Sequence, residues 1–221
     1  MSENSVDLSI LLTNSNQDAL RNIQSFFKKM PIRYEIISLG EMRADHEPQQ
    51  RVRSLSESIS LISGKYVFLM DAKLKVPLSE VISFLSEFHT NPELQLLMGD
   101  RDTPKKMSHP DSKFSRNSRA LINDQVAKYF ATDRLDFFCP FQALRKEFAI
   151  KIFKDIQRSH LPGAQVLIRS LSSGQKVKSL SVMYINQESK TWKKLIELPT
   201  YFKMVVELLR LRYVLNRSSK E

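Results

Sequence analysis

The chemistry open to this chain turns on one segment, Gly64-Lys-Tyr-Val-Phe-Leu-Met-Asp71-Ala-Lys73-Leu-Lys75, where an apolar run ends on a carboxylate and two ammonium groups follow. Side chains two apart in extended backbone share a face, so a carboxylate at position 73 would let two oxygen donors meet one divalent cation. Position 73 is a lysine, and so is position 75. An ammonium about 6 Å from a divalent ion, at an effective dielectric of about 20, is repelled by about 5 kcal/mol in addition to the lost ligand. No resident metal or other cofactor is therefore expected. Lys73 and Lys75 either neutralise the oxygens of a phosphorylated ligand directly or are solvated cations at a strand end. Asp71 is either a site carboxylate or the cap of the turn that follows it.

The remaining chemistry-bearing residues are sparse. Asp136 has Arg134 and Arg145 nearby in sequence as candidate ion-pair partners. Cys139 sits between phenylalanines with no histidine at local spacing, which favours a core thiol over a nucleophile. The four histidines (46, 89, 109 and 160) have no ligand spacing, so zinc is not expected. The five glycines, at 40, 64, 99, 163 and 174, form no phosphate-cradling loop, which argues against a dinucleotide fold and a P-loop.

The elements that must position these residues follow from periodicity. Strands are expected at Asp7–Leu12, Tyr34–Leu39, Tyr66–Met70 and Leu94–Met98. Helices are expected after Asn16, with Ala19, Leu20, Ile23, Phe26, Phe27 and Met30 at helical spacing, near Arg51–Ile62 with Gly64 as its C-terminal cap, and from Pro77 to His89. This alternation predicts an α/β fold, a mostly parallel sheet flanked by helices, with Asp71 at the carboxyl end of a central strand where open sheets place ligands. Further on, a helix over Phe114–Phe130, a strand-like turn over Phe137–Leu144, helices near Lys146–Ile156 and Gly163–Leu171, and a strand over Lys176–Ile185 are expected.

With 221 residues the chain can bury roughly 70% of its unfolded surface as one domain without disulfides. The reading divides it into a nucleotide-fold half (7–100), a basic loop (101–119), an acceptor half (120–189) and a basic helical tail (190–221). The lone cysteine and the polar N-terminus favour a cytoplasmic location, and no apolar run reaches bilayer-spanning length. The formal charge of +10 points to an anionic partner. Between Arg101 and Arg119, six bases face two acids; from Lys190 onward, eight face three. The basic loop lacks interleaved aromatics, so nucleic acid is not the expected partner. Near the C-terminus, Phe202, Val205, Val206, Leu209 and Tyr213 form one stripe, expected to pack on the domain. Lys203, Arg210 and Arg217 are left for an anionic membrane surface or a membrane protein. Trp192 among lysines is either an interfacial anchor or a satellite-core residue.

Together these segments resemble family-2 glycosyltransferases of the GT-A fold, and within them the dolichyl- and polyprenyl-phosphate sugar transferases, over residues 7–213. The resemblance is carried by Ile10-Leu-Leu-Thr-Asn-Ser-Asn16, Tyr34-Glu-Ile-Ile37, Gly64 to Asp71, Gly99-Asp-Arg101, Asp136-Phe-Phe-Cys139-Pro-Phe141, Ser189-Lys190 and Leu208-Leu-Arg-Leu-Arg212, in that order. It implies transfer of a hexose from a nucleotide-sugar to a lipid phosphate with help from a divalent metal. By position it implies nucleotide or phosphate contacts for Asn16, Glu41, Arg101, Ser189 and Lys190, beside Lys73 and Lys75, and a base near the acceptor at Asp136. The family's motifs are degenerate here: its acidic pair is Gly40-Glu41, its glycine-rich loop is Arg51-Val52-Arg53-Ser54-Leu55-Ser56, and its Asp-x-Asp is Asp71-Ala-Lys73. The expected function is thus a pseudo-glycosyltransferase, a binding or regulatory module for a nucleotide diphosphate or other phosphorylated ligand. The alternative is a metal-independent transferase in which Lys73 and Lys75 replace the metal.

Overall fold

The computed structural model describes residues 6–13, 17–39, 51–52, 54–73, 75–101, 113–156, 161–185 and 206–215, with backbone alone for 51–52 and 113–119. In chain order the elements are β1 (Leu8–Thr13), α1 (Gln17–Phe27), β2 (Tyr34–Leu39), β3 (Arg51–Val52), α2 (Leu55–Ser58), β4 (Tyr66–Asp71) and α3 (Glu80–Thr90). They continue as β5 (Leu96–Asp100), α4 (Lys113–Phe130), β6 (Phe141–Arg145), α5 (Lys146–Phe153), α6 (Pro162–Ser172) and β7 (Val177–Ser181), and 206–215 is helical.

One seven-stranded sheet runs in the order β3-β2-β1-β4-β6-β5-β7. Every pairing is parallel except those of β6, which lies antiparallel between β4 and β5. The mostly parallel sheet is as expected. The buried strands read as continuous apolar runs because both faces are covered. Leu8, Ile10 and Leu12 of β1 and Tyr66, Phe68 and Met70 of β4 join Leu20, Ile23 and Phe27 of α1 and Val81, Phe84 and Phe88 of α3 in one core layer. The alternate residues Leu11, Val67 and Leu69 join α5, α6 and the inner side of α4 in the other. The period-two alternation of side chains thus assigns each strand residue to one of two helical layers.

Three expectations are corrected. Residues 51–62 do not form one helix: Ser54 accepts a hydrogen bond from Glu57 N–H (3.2 Å) and so starts α2 at Leu55, leaving Arg51–Val52 extended alongside Ser38 and Leu39. Ser58 Oγ donates to Leu55 O at 2.6 Å, a local bond that competes with continuing the helix. Gly64 is required for space rather than as a left-handed cap, since a Cβ there would lie 2.4 Å from Ser9 N and 2.5 Å from Leu8 C. The C-terminal helix turns a different stripe inward. Leu211 is buried, with Leu208 and Leu215 packed against the same cluster, whereas Leu209 and Tyr213 face solvent. Phe202, Val205 and Trp192 lie outside the described residues.

Candidate functional site

The carboxyl ends of β1, β4, β5 and β7 converge on a small region built chiefly from backbone hydrogen bonds. Ala72 N–H donates to Thr13 O (2.9 Å), Asp71 N–H to Pro140 O (3.3 Å), Val182 N–H to Asp100 O (3.0 Å) and Ile185 N–H to Lys75 O (2.7 Å). These bonds fix where the chain leaves each strand, and with it the directions of Asp71, Lys75, Arg101 and Tyr184. A depression beside β4 is lined by Met70, Asp71, Lys75, Val76, Pro140 and Phe141.

Asp71 Oδ1 accepts the N–H of Lys73 at 2.8 Å, an Asx-type turn that spends one carboxylate oxygen on the local backbone. Of the two readings open in the sequence, the turn cap is the one this geometry displays. Lys73 is exposed, and Lys75 is half-buried with Nζ 5.8 Å from the centre of the Tyr184 ring. The guanidinium of Arg101 lies 5.2 Å from the same ring, so one buried aromatic holds two cations by its π face. Sequence alone does not single out Tyr184. The available signal was an aromatic two residues beyond Val182, on the same face at the end of the last strand.

Arg101 and Asp136 form a closed pair. Arg101 Nε donates to Asp136 Oδ2 at 2.6 Å and Nη2 to Oδ1 at 2.7 Å, and the Arg101 backbone N–H reaches Oδ2 at 3.3 Å. The Asp136 side chain is fully buried and that of Arg101 is 9% exposed. Burial by itself lowers the guanidinium pKa, but the hydrogen bonds and charge of Asp136 outweigh it and raise the value above the ordinary one. Asp136, expected as a base, is a buried counter-ion with both oxygens engaged by Arg101. Arg101, expected as a phosphate contact, has its charge matched by Asp136 in this arrangement. The local partners suggested by sequence are engaged elsewhere: Arg134 with Asp124 at 3.0 Å, and Arg145 with the carbonyls of Leu94 and Phe88.

Cys139 is a core residue. Burial, reinforced by the Asp136 charge, pushes its thiol up to about 12. Its sulfur fills the space a Cβ at Gly99 would take, 2.8 Å from that position. Among the described residues no three His, Cys, Asp or Glu side chains gather as a metal site would require. The structure therefore brings Asp71, Lys75, Arg101, Asp136 and Tyr184 together. Asn16, Glu41, Ser189 and Lys190 lie outside the described residues.

No protein-family model matches the chain, and no curated protein matches it. Solved structures do. Glucosyl-3-phosphoglycerate synthase from Mycobacterium tuberculosis, in complex with phosphoglyceric acid, matches with a TM-score of 0.56 and 12% identity over 86% of this chain and 75% of that one. The same enzyme in complex with Mn2+, UDP-glucose and phosphoglyceric acid gives 0.52 and 11%, over 86% and 74%. Mannosyl-3-phosphoglycerate synthase from Rubrobacter xylanophilus gives 0.51 and 11%, over 98% and 76%. At such identities the likeness is one of fold: the chain has the GT-A-like fold of these glycosyltransferases.

Proposed function

We propose that this chain is a non-catalytic relative of the nucleotide-sugar transferases, nearest in its sequence motifs to the polyprenyl-phosphate branch, that binds a phosphorylated ligand without a metal. A nucleotide diphosphate is the ligand class that fits best. The observation that carries the reading is the fate of the two acids on which transfer chemistry would depend. Asp71 is turned onto the N–H of Lys73, and Asp136 is clasped by Arg101 with no side-chain exposure. Beside Asp71 the strand-end depression is lined by a cation, Lys75. A carboxylate with both oxygens in a buried guanidinium fork is poorly placed to take a proton from an acceptor. An ammonium beside the depression can neutralise a phosphate oxygen directly.

The fold neighbours add that this architecture accommodates uridine nucleotides and phosphorylated small molecules at this scale. The metal-independent transferase makes the same use of Lys75 but needs a base that the Arg101–Asp136 pair does not offer. The test is release of nucleotide diphosphate from UDP-glucose and GDP-mannose, with a polyprenyl phosphate present, with and without Mn2+. The expected result is no release above the protein-free rate under any condition. Metal-independent release that disappears in Lys75→Ala would establish the transferase and overturn the reading.

A further inference from the structure

Seven large apolar side chains are exposed among the described residues, and five of them lie on just two elements: Leu121 and Ile122 on α4, and Leu209, Tyr213 and Val214 on the helix over 206–215. The two helices touch, with the Arg212 guanidinium 4.2 Å from the centre of the Tyr129 ring. Leu121 is 60% exposed, Leu209 50% and Tyr213 70%, although α4 has Val126 and Ala127, and the second helix has Leu211, buried in the same core cluster. Each helix therefore has an inner apolar side that packs and an outer one that does not.

Among the described residues, the unpaired charge of that outer face is positive. Arg210 shares it with Leu209, Tyr213 and Val214, and Lys128 is exposed two turns after Leu121. The acids of these stretches are turned to partners: Asp124 to Arg134, and Glu207 to Gln165 Nε2 at 2.7 Å. More basic residues lie nearby in sequence at Lys113, Arg116, Arg119 and Arg217. An apolar stripe flanked by cations, with the partly exposed carboxylate of Asp124 paired to Arg134, is complementary to a surface that is apolar below and anionic above. A second copy of the chain fits less well, because a two-fold contact would bring two copies of the same cationic face together.

We propose that the outer face of α4 and the helix over 206–215 docks on an anionic lipid bilayer, with Leu121, Leu209 and Tyr213 entering the headgroup region and Arg210 and Lys128 meeting lipid phosphates. This goes beyond the phosphate-binding reading and does not rest on it. Co-sedimentation with phosphatidylcholine vesicles, with and without phosphatidylglycerol, at low and high salt, tests it. Wild type is expected to bind only the phosphatidylglycerol vesicles, more weakly at high salt. The double variant Leu209→Glu/Tyr213→Glu is expected to bind at least about tenfold more weakly. Ile82→Glu, an exposed apolar position on α3 in the opposite helical layer, and Lys75→Ala are expected to bind as wild type. Arg210→Glu gives an independent variant should the double one fail to fold. Undiminished binding by the folded variants, no binding by wild type at low salt, or equal binding to neutral vesicles would overturn the proposal. So would light scattering that shows a dimer abolished by the same substitutions, since a second copy would then be the occupant.

Discussion

The Arg101–Asp136 pair sets the chemistry of the strand ends at the scale of single residues. Two charges held almost entirely out of water are tolerated because the guanidinium fork meets both carboxylate oxygens. Removing either partner strands the other. Asp136→Ala is expected to lower stability by about 3–5 kcal/mol, read as a reduced denaturant midpoint, whereas an apolar pair such as Arg101→Met/Asp136→Leu recovers most of the loss. A full loss of stability in the double variant as well would show that the pair does more than neutralise itself. The partnership was not legible in the sequence, because it joins residues 35 apart from the end of β5 to a loop. The nearer arginines were the obvious candidates, but Asp124 of α4 engages Arg134, and the carbonyls of Phe88 in α3 and Leu94 before β5 engage Arg145. The core role of Cys139, by contrast, was legible from its phenylalanine neighbours. Its folded-state pKa lies above the unfolded value, so the protonated thiol contributes stability below about pH 9 and loses that contribution as pH rises toward about 12. Cys139→Ala is expected to show a shallower alkaline decline in thermal midpoint than wild type. Parallel declines would contradict the assignment.

Most elements could be read from periodicity, because a sheet covered on both faces writes its strands as apolar runs and its helices as stripes. Two kinds of information were missing. Pairing order was one: β6 inserts antiparallel between β4 and β5, a tertiary choice that no local pattern encodes. Backbone proximity was the other. Gly64 resembles a helix stop in sequence, yet its role is to let the turn before β4 pass against the backbone of β1. Gly64→Ala is accordingly expected to cost about 3 kcal/mol or more, since the obstructing atoms are backbone and cannot rotate aside. A neutral effect in chemical denaturation would refute that account. The C-terminal helix carries the same lesson. Among the described residues Leu208, Leu211 and Leu215 pack on the core, whereas Leu209 and Tyr213 of the stripe that sequence spacing favoured face solvent.

At the scale of the whole molecule, the fold and the charge supply different halves of the account. The GT-A-like sheet puts the tips of β1, β4, β5 and β7 at one edge, where an α/β protein binds ligands. A formal charge of +10 makes an anion the natural occupant. Among the described residues no helix is long and apolar enough to cross a membrane. The strand-end residues then decide how the anion is met. With Asp71 capping its own turn and Lys75 beside the depression, the proposed function has recognition pass from a metal to an ammonium. That substitution is the central claim, and calorimetric titration of UDP into the protein in the presence and absence of Mn2+ tests it most directly. The account predicts binding that is unchanged by Mn2+, weakened by salt, and reduced about tenfold or more in Lys75→Ala, the loss of one charge-assisted contact. Binding that requires Mn2+ and is abolished by Asp71→Ala would contradict it.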